Sequence, residues 1–167
     1  MVAETALILL LSRTCVAEIS FQKEPTECLL MWEVNERNRG KRSLYEHTLL
    51  FNAYWRSSKQ RAQRPWIQEL NGDEKPENWP RYLPWKLHLK MWKRYKAAAA
   101  RFIKTRKWRK KICSKAIDYG GPREYPRQDA TRIYCLQGAR QWYWAKKEKE
   151  KLQQETWAVR TFTPAYR

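Results

Sequence analysis

Apolar and polar positions alternate with different periods along this chain, and each period predicts an element. Ala6 to Leu11 is an unbroken apolar run, which with its flanks reads as a helix over 4–21, ended before Pro25. Leu29 to Val34, around Trp32, is short and apolar and fits either a strand or a helix. Asn35 to Arg42 is polar and contains Gly40, so it reads as a loop. Ser43 and Glu46 then have capping-box spacing, in which each side chain satisfies a backbone N–H of the first turn. Leu44, Leu50, Phe51, Tyr54 and Trp55 follow at near-helical steps. Arg56, Lys59, Arg61 and Arg64 oppose the helix dipole, and Pro65 stops the helix.

Residues 65–85 break the periodicity. Pro65, Pro76, Pro80 and Pro84 interleave with Trp66, Trp79, Tyr82 and Trp85, and Asn71–Gly72 is a turn signal. A loop of this length is unusual inside a compact domain, which favours an aromatic clamp laid over a neighbouring surface rather than over its own domain. Residues 86–117 contain neither Pro nor Gly and predict one long helix. Met91, Tyr95, Ala98, Phe102, Thr105, Trp108, Ile112 and Ala116 form a thin apolar seam on it, with Ala97 to Ala100 at its centre. A helix with a narrow seam and charge elsewhere is expected to lie outside any core of its own. Asp118 to Gln128 reads as a loop, Asp129 to about Thr156 as a final helix weakened by Gly138, and Arg160 to Arg167 as an extended tail.

The expected fold is therefore mostly α. It has few helices including one long basic helix, an extended Pro/Trp-rich loop and tails, and no large independent core. The expected divisions are 1–64, a helical segment; 65–85, the linker; 86–117, the basic helix; and 118–167, loop, C-terminal helix and tail. Such a chain would become fully ordered only on joining an assembly.

Charge sharpens this picture. The 167 residues carry a formal net charge of +18, and residues 81–115 hold 14 Lys/Arg and no acid, whereas residues 1–80 are balanced. A concentration of this kind repels itself and is neutralised by a polyanion. The expected nucleic-acid contacts are Lys86, Lys90, Lys93, Arg94, Lys96, Arg101, Lys104, Arg106, Lys107, Arg109, Lys110, Lys111 and Lys115. Trp85, Trp92, Tyr95 and Trp108 are interleaved with them, and aromatic and guanidinium planes stack on unpaired bases. Ten Trp are present, and Trp66, Trp79, Trp85, Trp142, Trp144 and Trp157 are the expected anchors on protein neighbours.

Cys15, Cys28, Cys113 and Cys135 have no CxxC spacing and lie far in sequence from His47 and His88, so no zinc-site pattern is present. In a chain of this length, not dense in cysteine, scattered reduced thiols are the expectation. The apolar run near the N-terminus has Glu4 and no Lys or Arg ahead of it, unlike a signal peptide. It is also far short of the ~20 residues that span a bilayer. No local catalytic signature occurs: no Walker A loop, Rossmann glycine pattern, HExxH or GxSxG. The chain is expected to be non-catalytic, with no cofactor, metal or small-molecule substrate.

Leu44–Tyr45–Glu46 followed by Leu49, Leu50 and Phe51 resembles the opening helix of LYR-motif proteins, with Glu46 where that motif has Arg. That resemblance implies an accessory subunit or assembly factor of a mitochondrial complex. The basic helix with its proline-aromatic arms is similar in composition to supernumerary ribosomal proteins, especially of mitochondrial ribosomes. This likeness implies a structural subunit contacting structured RNA, in particular rRNA, and neighbouring proteins, located in mitochondria through an uncleaved or internal signal. Two alternatives stand beside it. One is an accessory subunit of a mitochondrial respiratory-chain membrane complex. The other is a basic nucleic-acid-binding regulator, viral ones included, which would fold alone.

Overall fold

In the computed structural model, residues 3–121 and 129–147 are described. They form seven helices followed by a three-stranded antiparallel sheet. The helices are α1 (Glu4–Ile19), α2 (Thr26–Asn38), α3 (Leu44–Phe51), α4 (Ala53–Arg56), α5 (Ser58–Gln63), α6 (Pro65–Glu69) and α7 (Trp85–Thr105). The strands are β1 (Ala116–Gly120), β2 (Ala130–Ile133) and β3 (Trp142–Lys146), in the order β1-β3-β2. The mostly helical expectation holds, with a small sheet added.

The apolar N-terminal run is a core element. Leu10, Leu11, Cys15, Val16 and Ile19 are buried on α1, which packs along α7 and also meets α2, α3 and α6. The short apolar stretch around Trp32 is helical, and the Trp32 indole N–H donates to the Leu11 carbonyl at 2.9 Å inside the core. Gly40, at φ +59°, supplies the left-handed turn that follows α2.

Ser43 caps α3 as its spacing predicts: its hydroxyl accepts from Glu46 N at 3.1 Å. The single helix expected over 43–64 is instead three short ones, because polar residues within it cap new starts. The Asn52 side-chain oxygen accepts from Tyr54 N at 3.0 Å, and the Ser57 hydroxyl accepts from Gln60 N at 3.2 Å. These side chains compete with the helical ladder for backbone donors.

The expectation of no large core is corrected by one contiguous cluster of buried residues. It joins α1, α2, α6 and α7 with Trp79 from the proline-rich segment and Tyr143 from β3. The aromatic clamp thus closes on its own chain. Trp66 and Trp79 are nearly fully buried, with ring centroids 5.1 Å apart, and Trp79 meets Trp85 at 4.8 Å. Phe21 joins the same cluster, 4.7 Å from His88.

The long helix ends at Thr105, not 117. Its buried stripe is Trp92, Tyr95, Ala99 and Phe102, so the helix lies against the core and Trp108 falls outside it. The Tyr95 hydroxyl donates to Ser20 O at 3.0 Å and accepts from Gln22 N at 2.7 Å; burial pushes its pKa up to about 12. Beyond Thr105 the chain leaves the helical path, and there Arg106 and Arg109 pair with Glu36 and Glu33 of α2.

The final helix expected from Asp129 is replaced, over its described part, by β2 and β3. Trp142, Tyr143 and Trp144 alternate in period two: the Trp142 and Trp144 rings lie 6.2 Å apart, while Tyr143 turns into the core. Its hydroxyl donates to Glu27 at 2.8 Å, and burial beside that carboxylate raises the phenol's pKa. The cysteines are paired rather than reduced. Cys15–Cys28 joins α1 to α2, and Cys113–Cys135 joins the segment after α7 to the segment after β2. Two thiols brought within Cβ reach by packing are close neighbours irrespective of sequence spacing.

Candidate nucleic-acid interface

The apolar stripe of α7 turns inward and leaves an outward stripe of cations. Lys86, Lys90, Lys93, Arg101 and Lys104 are exposed and recur at helical steps, with Ala97 filling the one gap and Arg94 alongside. From Lys86 to Lys104 the stripe runs roughly 27 Å at 1.5 Å per residue.

The predicted cations divide into two groups. One group is engaged by the chain itself. Arg94 donates to the Lys23 carbonyl at 3.0 Å. Lys93 and Lys96 both lie 3.6 Å from Asp73, and Lys96 also sits over the Trp92 ring. Arg106 pairs with Glu36 at 3.1 Å, and Arg109 with Glu33 at 2.7 Å. Burial lowers the Arg109 pKa, and Glu33 opposes that shift. The other group faces water. The side chains of Lys86, Lys90, Arg101, Lys104, Lys107, Lys110 and Lys111 are exposed and have no hydrogen-bond or ion-pair partner among the described residues. Lys115 is exposed and has an interaction of its own.

A cleft of about 270 Å³ lies beside this surface, between the C-terminal half of α2 and the end of α7. Arg37, Arg106, Lys107, Arg109 and Lys111 line it, with Glu33, Glu36 and Phe102. The cations outnumber the carboxylates. Arg37 Nη2 and Arg109 Nε are buried without a hydrogen-bond partner in the structure. Arg37 lies in the stretch read from sequence as a loop. Nothing in its spacing links it to Arg109; only the docking of the post-α7 turn onto α2 does.

Most of the expected protein anchors pack within the chain itself. Trp66, Trp79 and Trp144 are buried within the chain, and Trp85 and Trp142 are half-buried. Arg132 stacks over the Trp142 ring at 3.5 Å. These rings serve the chain's own packing, and Trp157 lies outside the described residues.

A larger cleft of about 640 Å³ is lined by polar side chains of α1–α4 and β1, including Glu18, Asn35, Asn52 and His47. Its groups already brace the fold: Asn52 donates to Glu18 at 2.7 Å and Asn35 to the Tyr119 hydroxyl at 3.1 Å. His47 Nδ1 has no partner, and burial followed by the nearby Arg42 lowers the imidazole's pKa. Among the described residues, no group of three or more His, Cys, Asp or Glu could hold a metal ion, and no helix is long and apolar enough to cross a membrane. No protein family, curated protein or solved structure matches the chain.

Proposed function

We propose that this chain is a non-catalytic RNA-binding protein that lays the outward face of α7 and the turn after it along a phosphate backbone. The observation that carries this reading is the set of seven exposed cations on α7 and the turn after it whose side chains have no partner among the described residues. Coulomb repulsion among them is unrelieved by any acid between 81 and 115, and a polyanion relieves it while releasing condensed counterions. The proposed setting is a large ribonucleoprotein, the mitochondrial ribosome foremost, in which the chain contacts rRNA and neighbouring proteins.

A second reading, the free-standing nucleic-acid-binding regulator, draws support from two observations. The core is contiguous and built from the chain's own helices. Two disulfides also lock it, and such bonds persist in oxidising compartments rather than in reducing ones. Co-sedimentation separates the settings: a ribosomal subunit travels with rRNA-containing particles, and a regulator stays in the light fractions.

The structure also selects the variant that tests RNA binding. Arg106 and Arg109 staple the turn to α2, so reversing their charge would disturb the fold. Replacing Lys86, Lys90, Arg101, Lys104, Lys107, Lys110 and Lys111 together with Glu should weaken RNA binding on the order of 100-fold at moderate salt, with the circular-dichroism spectrum unchanged. A folded variant that binds as tightly as the parent chain would refute the proposal.

A further inference from the structure

The chain buries or half-buries every other described tryptophan, yet Trp108 is 82% exposed. This exposure is built. Trp108 N and Arg109 N both donate to Thr105 O, at 3.1 and 2.9 Å, closing a turn at the end of α7. Arg106 on one side is pinned to Glu36, and Arg109 on the other to Glu33, with its guanidinium 4.5 Å from the centre of the Phe102 ring. Ile112 N donates to Glu33 at 3.1 Å, and Cys113 is bonded to Cys135. Residues on both sides of Trp108 therefore face α2, and the indole is held outward on a fixed turn. Leaving so large an apolar face in water forgoes the burial that the other tryptophans obtain.

What surrounds the indole identifies what covers it. Lys107, Lys110 and Lys111 are exposed next to it in sequence. The cleft lined by Arg37, Lys107 and Arg109 lies at the same turn, but there Glu33 pairs with Arg37 and Arg109, and Glu36 pairs with Arg106, so the free cations are the lysines. A flat apolar ring flanked by exposed lysines matches a nucleotide with an unpaired base. The base stacks on the ring and its flanking phosphates meet the lysines. A base-paired duplex presents phosphates but hides its base faces, so it would use the cations and leave the indole unsatisfied.

We infer that Trp108 and the adjoining Lys107, Lys110 and Lys111 form a site for single-stranded nucleic acid that stacks one unpaired base. The inference rests on the RNA-binding reading above and narrows it to a strand form and a point of contact.

Fluorescence anisotropy on the full chain tests it with three probes: a labelled 12-nucleotide oligouridine, an RNA duplex of equal length, and vesicles of phosphatidylglycerol and phosphatidylcholine. Trp108→Ala should weaken oligouridine binding roughly 5- to 100-fold and leave duplex binding within about twofold. Trp108→Phe should recover most of the loss, since it keeps an aromatic face. Lys107→Gln with Lys111→Gln should weaken both nucleic acids. Equal effects of Trp108→Ala on single strand and duplex, or no effect on either, would overturn the stacking site while leaving RNA binding intact. Binding to vesicles that depends on Trp108, with none to oligouridine, would overturn the site in favour of a lipid surface. Absence of binding to either RNA by the unmodified chain would overturn both this site and the reading beneath it.

Discussion

Glu27→Ala is expected to cost about 3–5 kcal/mol of folding free energy, a large share of a typical domain's 5–15. Glu27 is 3% exposed, in the first turn of α2. Its carboxylate accepts from Arg140 N at 2.9 Å, Gln141 N at 3.0 Å, the Tyr143 hydroxyl at 2.8 Å and Gln22 Nε2 at 3.3 Å. Truncation leaves two backbone N–H groups and a phenol without acceptors in a place water reaches poorly, at about 1–3 kcal/mol each. Glu27→Gln should fall between the two, because it keeps one acceptor but turns an NH2 group toward donors. Urea unfolding measures the loss as a lower midpoint at unchanged slope. A cost below about 1 kcal/mol would mean that the sheet does not dock on α2 through this carboxylate.

Reduction of the two disulfides should be the second large effect. Cys15 and Cys28 are 13 apart in sequence and Cys113 and Cys135 are 22 apart, so loop closure in the unfolded chain assigns each bond about 3 kcal/mol. Both sulfurs of the first pair are fully buried, whereas Cys113 and Cys135 are half-exposed. A mild reductant should therefore open Cys113–Cys135 first and loosen the turn that carries Trp108, while the helical core stays folded. Stronger reduction under denaturant should open both and lower the melting temperature by more than about 10 °C. A thiol-reactive dye on the unfolded, unreduced chain should find no free thiol, and four per chain would contradict the pairing.

What was legible in the sequence had local causes. Ser43 caps α3 because a hydroxyl three residues ahead of a backbone donor is a short-range fact. Most of the cationic run is exposed, as expected, because like charges in that number cannot be buried. What was not legible depended on distant partners. Nothing in the sequence around Thr105 marks the end of α7, where Arg109 and Arg106 pair with Glu33 and Glu36, about 70 residues upstream. For the same reason the expected cations include both paired and free ones. The Trp142–Tyr143–Trp144 triplet was read against a helical period although three consecutive aromatics suit a strand better, where two share one face and the third takes the other. The proline-aromatic segment was read as reaching outward because four prolines deny it a ladder of its own. A segment without a ladder can still bury its rings at home, as Trp79 does, with its indole N–H donating to Leu83 O at 2.7 Å.

The salt dependence of RNA binding tests the central claim most directly, because it counts phosphates neutralised without regard to which residues neutralise them. The measurement is the affinity of the unmodified chain for oligouridine between 50 and 200 mM salt. If six or more of the exposed cations each take a phosphate, log affinity falls against log salt with a slope of about −4 or steeper. A slope near zero would contradict the account, since the outward face of α7 would then not be meeting a phosphate backbone at all.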